Sequence, residues 1–241
     1  MKAYVIVMSD NEKSLAGVET LKQSIESTST DLDLEIIEAV QPDTMGNANF
    51  NLFGRTVPWT WSSSPESDAI DLHTGLYKRH YKAVDQKRVE SCALSHFNAW
   101  MKCFKDNKPC VILEHDALFI KKFDPSKYVH KKWGVIGLND PRGNTRKGAA
   151  FHRQVEAQGK GIHDIPIIDS SQELPLPMGI AGNSAYAIKP HAAKKLLEKV
   201  EEIGMWPNDA LMCRQLFPGL LKVVNPYYTT TQGTQSTTTA L

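Results

Sequence analysis

Residues 110–116 hold the densest chemistry in the chain: the apolar run Cys110-Val111-Ile112-Leu113 passes straight into Glu114-His115-Asp116. Four apolar residues in a row read as a short strand buried on both faces, as in parallel sheets. Side chains at i and i+2 of an extended segment project to the same side, so Glu114 and Asp116 can share one divalent cation, or a cation and a ribose hydroxyl. Oxygen donors suit Mg²⁺ or Mn²⁺, which keep several waters and complete their coordination with substrate phosphates. The triplet therefore reads as a site for a diphosphate. A solvated strand end can carry the same acid-x-acid pattern, so the elements around it decide.

Those elements alternate. Lys2 to Met8 is β-rich and ends at Ser9-Asp10-Asn11, good capping chemistry for a helix over about Glu12 to Ser27, with Leu15, Val18, Leu21 and Ile25 at helical spacing. Leu34 to Val40 reads as a second strand, giving a right-handed βαβ crossover. From Gln41 to about Ser67 the chain is rich in Pro, Gly, Ser and Asn and reads as a long loop. Val89, Ala93, Phe97, Trp100 and Phe104 put one apolar stripe on a helix from roughly Gln86 to Lys105, stopped by Asn107-Lys108-Pro109. Trp133 to Leu138 is another apolar strand. The next 40 or so residues are predicted to hold at most short elements such as Ile165 to Ile168, which suggests a lid or binding loop. Asn183 to Lys189 is a further strand, Pro190 opens a helix running to about Ile203, and Asn208 is expected to cap a short helix ending before Pro218. Leu221 to Val224 is apolar again.

Such alternation predicts an α/β fold: a Rossmann-like, mostly parallel sheet with helices on both faces, with ligands beyond the carboxyl ends of the strands. At 241 residues, 41% apolar and 23% charged, the chain fits a single soluble domain, expected over residues 1–228. The polar tail 229–241 buries little and is expected to be loose. The four cysteines form no Cys-x-x-Cys pair, so free thiols are expected rather than a disulfide framework or zinc site. No window reaches the ~20 apolar residues of a membrane span, and the first residues lack a signal peptide's pattern. A cytoplasmic location is the expectation.

The net charge of +1 gives no global pull toward nucleic acid or membrane. Locally, Lys78, Arg79, Lys82, Lys87 and Arg88 face one acid, Asp85, and Arg142, Arg146, Lys147 and Arg153 face none. These clusters read either as solvated surface or as a surface for a phosphate-rich ligand. Tyr77, His80 and Tyr81 interleave with the first cluster, as in a stacking and phosphate-tracking groove.

Three motifs taken together carry a resemblance: Val89-Glu90-Ser91-Cys92-Ala93-Leu94-Ser95-His96, then Val111 to Ala117, then Gly182-Asn183-Ser184-Ala185-Tyr186-Ala187-Ile188 with Ala192-Ala193-Lys194-Lys195-Leu196-Leu197. With Glu38-Ala39-Val40, Trp133 to Leu138 and Pro207-Asn208-Asp209 in the same order, the chain resembles the family 25 glycosyltransferases. That family includes lipopolysaccharide sugar transferases and collagen galactosyltransferases. The resemblance implies a GT-A type fold, a nucleotide-sugar donor, usually a UDP-sugar, and a divalent metal, Mn²⁺ or Mg²⁺, held by the acidic triplet. Two features depart from the pattern. His115 stands where the family usually has a middle acid, and Met8-Ser9-Asp10-Asn11 lacks the usual arginine after the first strand.

The resemblance implies hexose transfer to an acceptor hydroxyl, with inversion: a base for the acceptor proton, a cation for the departing diphosphate, and an acceptor held opposite the leaving group. Glu114 and Asp116 are the expected metal ligands, and Asp209, in the first turn of a helix, is the expected base. Ser9, Val40, Arg88, His96, Glu114 and His115 are candidates for the donor side, and Asn183 and Trp206 for the acceptor side. Asp209 can equally be a dipole-favoured first-turn acid, His96 a satisfied semi-buried histidine, and Trp206 core. The family default acceptor is a saccharide of lipopolysaccharide type. The basic clusters raise an alternative, a hydroxymethylated base in DNA. A non-catalytic binder of nucleotide sugars or nucleic acid is the alternative from another class.

Overall fold

The computed structural model of the chain describes residues 1–45, 50–52, 54–82, 85–128, 131–142, 148–168 and 174–233. In chain order the elements are β1 (Lys2–Val7), α1 (Glu12–Ser27), β2 (Asp33–Glu38), α2 (Pro42–Met45), β3 (Phe50–Leu52), β4 (Arg55–Val57), β5 (Ala69–Ile70), β6 (Tyr77–Lys78) and α3 (Gln86–Asp106). They continue as β7 (Cys110–Glu114), β8 (Ala117–Phe119), β9 (Val135–Gly137), α4 (Gly148–Ala157), β10 (Gly161–Asp164), β11 (Ala185–Ile188), α5 (Pro190–Ile203), α6 (Asn208–Leu211), β12 (Leu221–Asn225) and β13 (Thr229–Thr231).

A seven-stranded sheet in the order β10-β12-β9-β11-β7-β1-β2 forms the middle of the molecule. β1 pairs in parallel with β2 and β7, and β12 with β9. β11 runs against both of its neighbours, and β10 against β12. Five strands thus point one way and two the other, the mixed but mostly parallel α/β sheet expected. The sequence alternates so that both faces of β1 are covered: Tyr4 and Ile6 join the core shared with α3 and α5, whereas Ala3, Val5 and Val7 join the core under α1. Helices therefore lie on both faces.

α1 has the predicted bounds, with Asn11 Oδ1 accepting from Ser14 N at 3.1 Å. Its buried stripe is Ser14, Gly17, Val18, Leu21, Ser24 and Ile25, while Leu15 faces out at 44% exposure. α3 buries Val89, Ala93, Phe97 and Trp100 as expected, and α5 matches its predicted span. Four expectations are corrected. The stretch after Gln41 is not bare loop but holds α2 and the β3–β4 hairpin, whose Phe50, Leu52 and Val57 are buried. The region after Leu138 holds a ten-residue helix, α4, and an edge strand, β10, while Ile165 to Ile168 form neither helix nor strand. Asn208 does not cap α6 but begins it, behind Pro207.

The fourth correction is the tail. Thr229–Thr231 pairs antiparallel with Ala117–Phe119. Just beyond, Gln232 Nε2 donates to the carbonyls of Gly17, His115 and Ala117 at 2.9, 3.2 and 3.1 Å, and Gln232 N donates to Asp116 O at 2.9 Å. Its first residues therefore hold the backbone of the acidic triplet; residues 234–241 lie outside the described residues.

α1 approaches the triplet so closely that only a glycine fits at position 17. A Cβ there would lie 2.8 Å from the carbonyl oxygen of His115 and 3.2 Å from its ring. Gly17→Ala is accordingly expected to destabilise the protein by about 1–3 kcal/mol, as overpacking against backbone does. Urea unfolding checks this; a variant as stable as the parent contradicts the close approach.

Candidate active site

The carboxyl ends of β2, β1 and β7 are adjacent, because Val7 lies beside Glu38 and Ile6 beside Glu114. β11 runs the other way, so its beginning meets the end of β7: Ala185 pairs with Leu113, and Glu114 N donates to Ser184 O at 2.8 Å. α3 crosses above with Cys92 and His96 one turn apart. Chain segments distant in sequence therefore meet at Glu114.

A buried hydrogen-bond relay holds that carboxylate. Trp100, Tyr186 and His96 are almost wholly enclosed, at 0, 0 and 1% exposure. Trp100 Nε1 donates to Tyr186 Oη at 2.9 Å, Tyr186 Oη lies 2.9 Å from His96 Nδ1, and His96 Nε2 lies 3.1 Å from Glu114 Oε1. Trp can only donate and a carboxylate can only accept. The arrangement that satisfies every group passes the Tyr186 hydroxyl proton toward Nδ1 and points the Nε2 proton at Glu114. Burial works against ionisation of Glu114, yet the bond from His96 together with the electrostatic pull of His96 and His115 outweighs it and holds the carboxyl below its usual range.

Asp116 has the opposite environment. Burial, together with the charge of Glu114, pushes its carboxyl up to about 7, and its Oδ1 is buried with no hydrogen-bond partner among the described residues. Asn183 is similar: both atoms of its amide are buried without a partner, as is Ser184 Oγ. Orphaned buried polar atoms call for an occupant. β7 ends at Glu114, so the extended i, i+2 geometry expected for Glu114 and Asp116 does not hold: His115 and Asp116 form the turn that follows the strand. The ring of His115, partly exposed, lies against Gly17 of α1.

Cys92 lies at the centre. Burial and then the charges of Glu114, Asp209 and Asp116 push its thiol well up, and its Sγ contacts Asn208 Oδ1 at 3.8 Å. Ligand atoms of Cys92, His96 and Glu114 lie within 4.8 Å of one another, but a neutral thiol and a ring nitrogen that carries its proton toward Glu114 offer a cation little. The free oxygens of Glu114 and Asp116 are the better donors, and they are hard ones, which fits the divalent ion that the acidic triplet implies.

On the far side of Cys92, Asp209 Oδ1 accepts from Tyr81 Oη at 2.7 Å and from Ala210 N at 3.0 Å. Among the described residues, no other residue donates a hydrogen bond to Oδ2. Asp209 keeps an open edge to solvent, yet the protein mass around it, and next the charge of Glu114, push its carboxyl up. The charges of three carboxylates, from β7, the turn after it and α6, thus all bear on Cys92.

The family model for glycosyltransferase family 25, the lipopolysaccharide biosynthesis protein family, matches residues 1–212. The chain belongs to glycosyltransferase family 25. Among solved structures, the galactosyltransferase LgtC in complex with donor and acceptor sugar analogs aligns over 93% of this chain and 73% of its own, at 12% identity and a TM-score of 0.41. Mouse xyloside xylosyltransferase 1, apo form, aligns over 93% and 85%, at 8% identity and a TM-score of 0.45. No curated protein matches the chain. None of the described helices is long and apolar enough to cross a membrane.

The remaining expected residues of this family 25 chain fall in three groups. Ser9 and Val40 do reach the same end of the sheet; Ser9 N donates to Glu38 Oε1 at 3.0 Å and Val40 N to Ser95 Oγ at 2.9 Å. Arg88 is exposed on the first turn of α3, one turn before Cys92. Trp206 is fully buried, its ring 5.0 Å from that of Trp61 and its Nε1 donating to Thr60 Oγ1 at 3.0 Å, so it is core beneath the site and presents no surface to an acceptor. His96, likewise, spends both ring nitrogens on protein and positions Glu114 rather than touching a donor.

In the first basic cluster Lys78 pairs with Asp71, and the interleaved His80 and Tyr81 bond to Asp68 and Asp209, while Arg79, Lys82, Lys87 and Arg88 are exposed. In the second, Arg142 pairs with Asp140, and Arg146 and Lys147 lie outside the described residues. Trp100, Tyr186, Cys92 and Ser184 also shape the site, beyond the residues the sequence points to. Tyr186, Cys92 and Ser184 lie inside the three family motifs, which is the signal that could have found them.

Tyr186→Phe removes the middle of the relay and strands the Trp100 donor and the His96 nitrogen. A loss of about 1–3 kcal/mol in stability is expected from the orphaned groups. Chemical denaturation checks it; a neutral result means the relay is not holding Glu114.

Proposed function

We propose that this glycosyltransferase moves a hexose from a UDP-sugar to an acceptor hydroxyl with inversion, and that the acceptor is a saccharide. The observation that carries this reading is that the charges of Glu114, Asp116 and Asp209 all bear on Cys92, with Asp116 Oδ1 and the Asn183 amide buried without partners among the described residues. Glu114 and Asp116 would hold the divalent ion of a GT-A type site, whose charge, when bound, stabilises the departing diphosphate.

The chain's own residues do the rest. His96 fixes the direction of Glu114. Ser9 and Val40, at neighbouring strand ends, form the floor of the donor side, and Arg88 offers positive charge at its rim. Asp209 takes the acceptor proton: Tyr81 and the Ala210 amide occupy Oδ1 and aim Oδ2 outward. A carboxyl pushed up by its surroundings is a stronger base than a free one, which suits proton abstraction near neutral pH. Asn183 offers an amide donor and acceptor to substrate hydroxyls.

A saccharide is favoured over DNA as acceptor by what lies beside Tyr81. The Trp61 ring sits 6.3 Å from that of Tyr81, and beyond it opens a cavity of about 610 Å³ lined by hydroxyls and charged groups, among them Thr60, Ser62, Ser63, Asp71, His73 and Lys78. Such a lining matches the many hydroxyls of a sugar. Lys78, one of the bases that suggested phosphate tracking, pairs with Asp71 instead. A cytoplasmic location accompanies this reading.

Two measurements test it. Release of UDP from UDP-glucose or UDP-galactose in Mn²⁺ is expected from the wild type and to fall by about 10²-fold or more in Asp209→Asn when an acceptor is present. In Asp116→Ala, Mn²⁺ binding measured by electron paramagnetic resonance is expected to disappear together with turnover; retention of both removes the reading. Tyr81→Phe deletes a hydrogen bond that favours the charged form of Asp209, so the carboxyl rises further. Because the base acts deprotonated, the acid limb of the wild-type rate profile lies above the ordinary aspartate range, and in Tyr81→Phe it moves to higher pH. An unmoved limb assigns the base elsewhere.

A further inference from the structure

At the opposite end of the sheet a second concavity gathers positive charge. Lys189 follows β11 immediately, and because Ile188 pairs with Cys110 it lies beyond the start of β7, whereas Glu114 ends that strand. The separation is roughly 13 Å at ~3.3 Å per residue. The cavity there is about 560 Å³, within the usual range for small-molecule sites. Lys131, Lys132, Lys189, His191 and Lys222 line it with Trp133, and no acidic residue does so among the described residues. Asp164, the acid bonded to Lys222 at 2.6 Å, is a partner from outside that lining.

These groups are placed rather than scattered. The Lys189 ammonium stands 4.4 Å over the Trp133 ring and donates to Lys131 O at 2.9 Å. Lys189 is also the residue preceding α5, a 14-residue helix whose N-terminus carries no side-chain cap and adds its partial positive charge to the cavity. Burial lowers the pKa of Lys189, and burial followed by Lys189 and Lys195 lowers that of His191.

We propose that this cavity is a binding site for a small soluble anion carrying two or more phosphoryl groups, separate from the site at Glu114 and Asp116. Several convergent cations in one concavity match several linked phosphates, each of which takes charge-assisted hydrogen bonds. A membrane surface fits less well, since none of the large exposed apolar side chains, Leu15, Ile36, Ile70, Leu72, Ile120 and Ile167, lines the cavity to insert into lipid. A nucleic acid strand fits less well too, because Trp133 is 4% exposed and offers no face for a base to stack on.

Calorimetric titration of the full chain with sodium tripolyphosphate, in EDTA so that no divalent ion bridges to the carboxylates, tests the site. One equivalent is expected to bind, about tenfold or more weakly in Lys132→Glu and in Lys189→Gln, and unchanged in Asp116→Ala. Lys132 is exposed, so its variant reports on charge rather than folding, and its UDP release from UDP-glucose is expected to match the wild type. Three results overturn the proposal: no binding; binding lost in Asp116→Ala but kept in the lysine variants, which places the anion in the donor site; or binding to phosphatidylglycerol vesicles without binding to tripolyphosphate, which makes the surface a membrane contact.

Discussion

Keeping a carboxylate charged in a half-enclosed position requires a donor that cannot turn away, and for Glu114 that donor is His96. Its other nitrogen is committed to Tyr186, which is in turn committed to Trp100, all three with essentially no exposure. A network of this kind is costly if any member is missing and rigid if all are present. The three partners come from α3 and β11, so the packing of that helix on that strand directly sets where the negative charge sits.

The direction of β11 is the second constraint. Parallel to β7, it would have its first residues at the far end of the sheet. Running antiparallel, it brings Asn183 and Ser184 to the end of β7, beside the acids. Buried amide and hydroxyl groups without partners among the described residues then lie beside carboxylates of contrasting character: Glu114 held low with the help of a bond from His96, Asp116 pushed up by burial and the charge of Glu114. α1 and Gln232 close the other side of the triplet, the helix by the close approach at Gly17 and the glutamine by its bonds to the carbonyls of Gly17, His115 and Ala117.

Elements whose burial follows one simple period were readable in the sequence. α3 and α5 carry long apolar stripes, and β1 and β7 are apolar throughout, so their existence follows from residue type alone. α4 buries only Gly148, Phe151 and Val155 and lacks an acid in its first turn, leaving too little pattern to see. β13 is polar because it needs only backbone partners on β8 and a glutamine aimed at three carbonyls, features that composition reads as a loose tail. Within the site, the acid pair and Asp209 were visible as residue types near strand and helix ends. The roles of His96 and Trp206 were not, because whether an imidazole or indole faces a ligand or the core depends on partners far away in sequence: Tyr186 for the one, Thr60 and Trp61 for the other. His115 shows the same limit at short range, since the strand ends one residue before it and the turn that follows sets it against α1.

The net charge of +1 hides how the charge is arranged. At one end of β7 the unsatisfied groups are carboxylate and amide, which a cation and a hydroxylated ligand would complete. At the other, Lys131, Lys132, Lys189 and His191 converge from segments nearly sixty residues apart, so no window of sequence shows them as a cluster. Of the runs of bases that do stand out, at residues 77–88 and 142–153, Lys78 and Arg142 find acids within the fold, while Arg79, Lys82, Lys87, Arg88 and Arg153 stay exposed on the surface. Adjacency along the chain therefore does not by itself gather charge into a concavity, whereas tertiary folding can do so from residues that no window shows together.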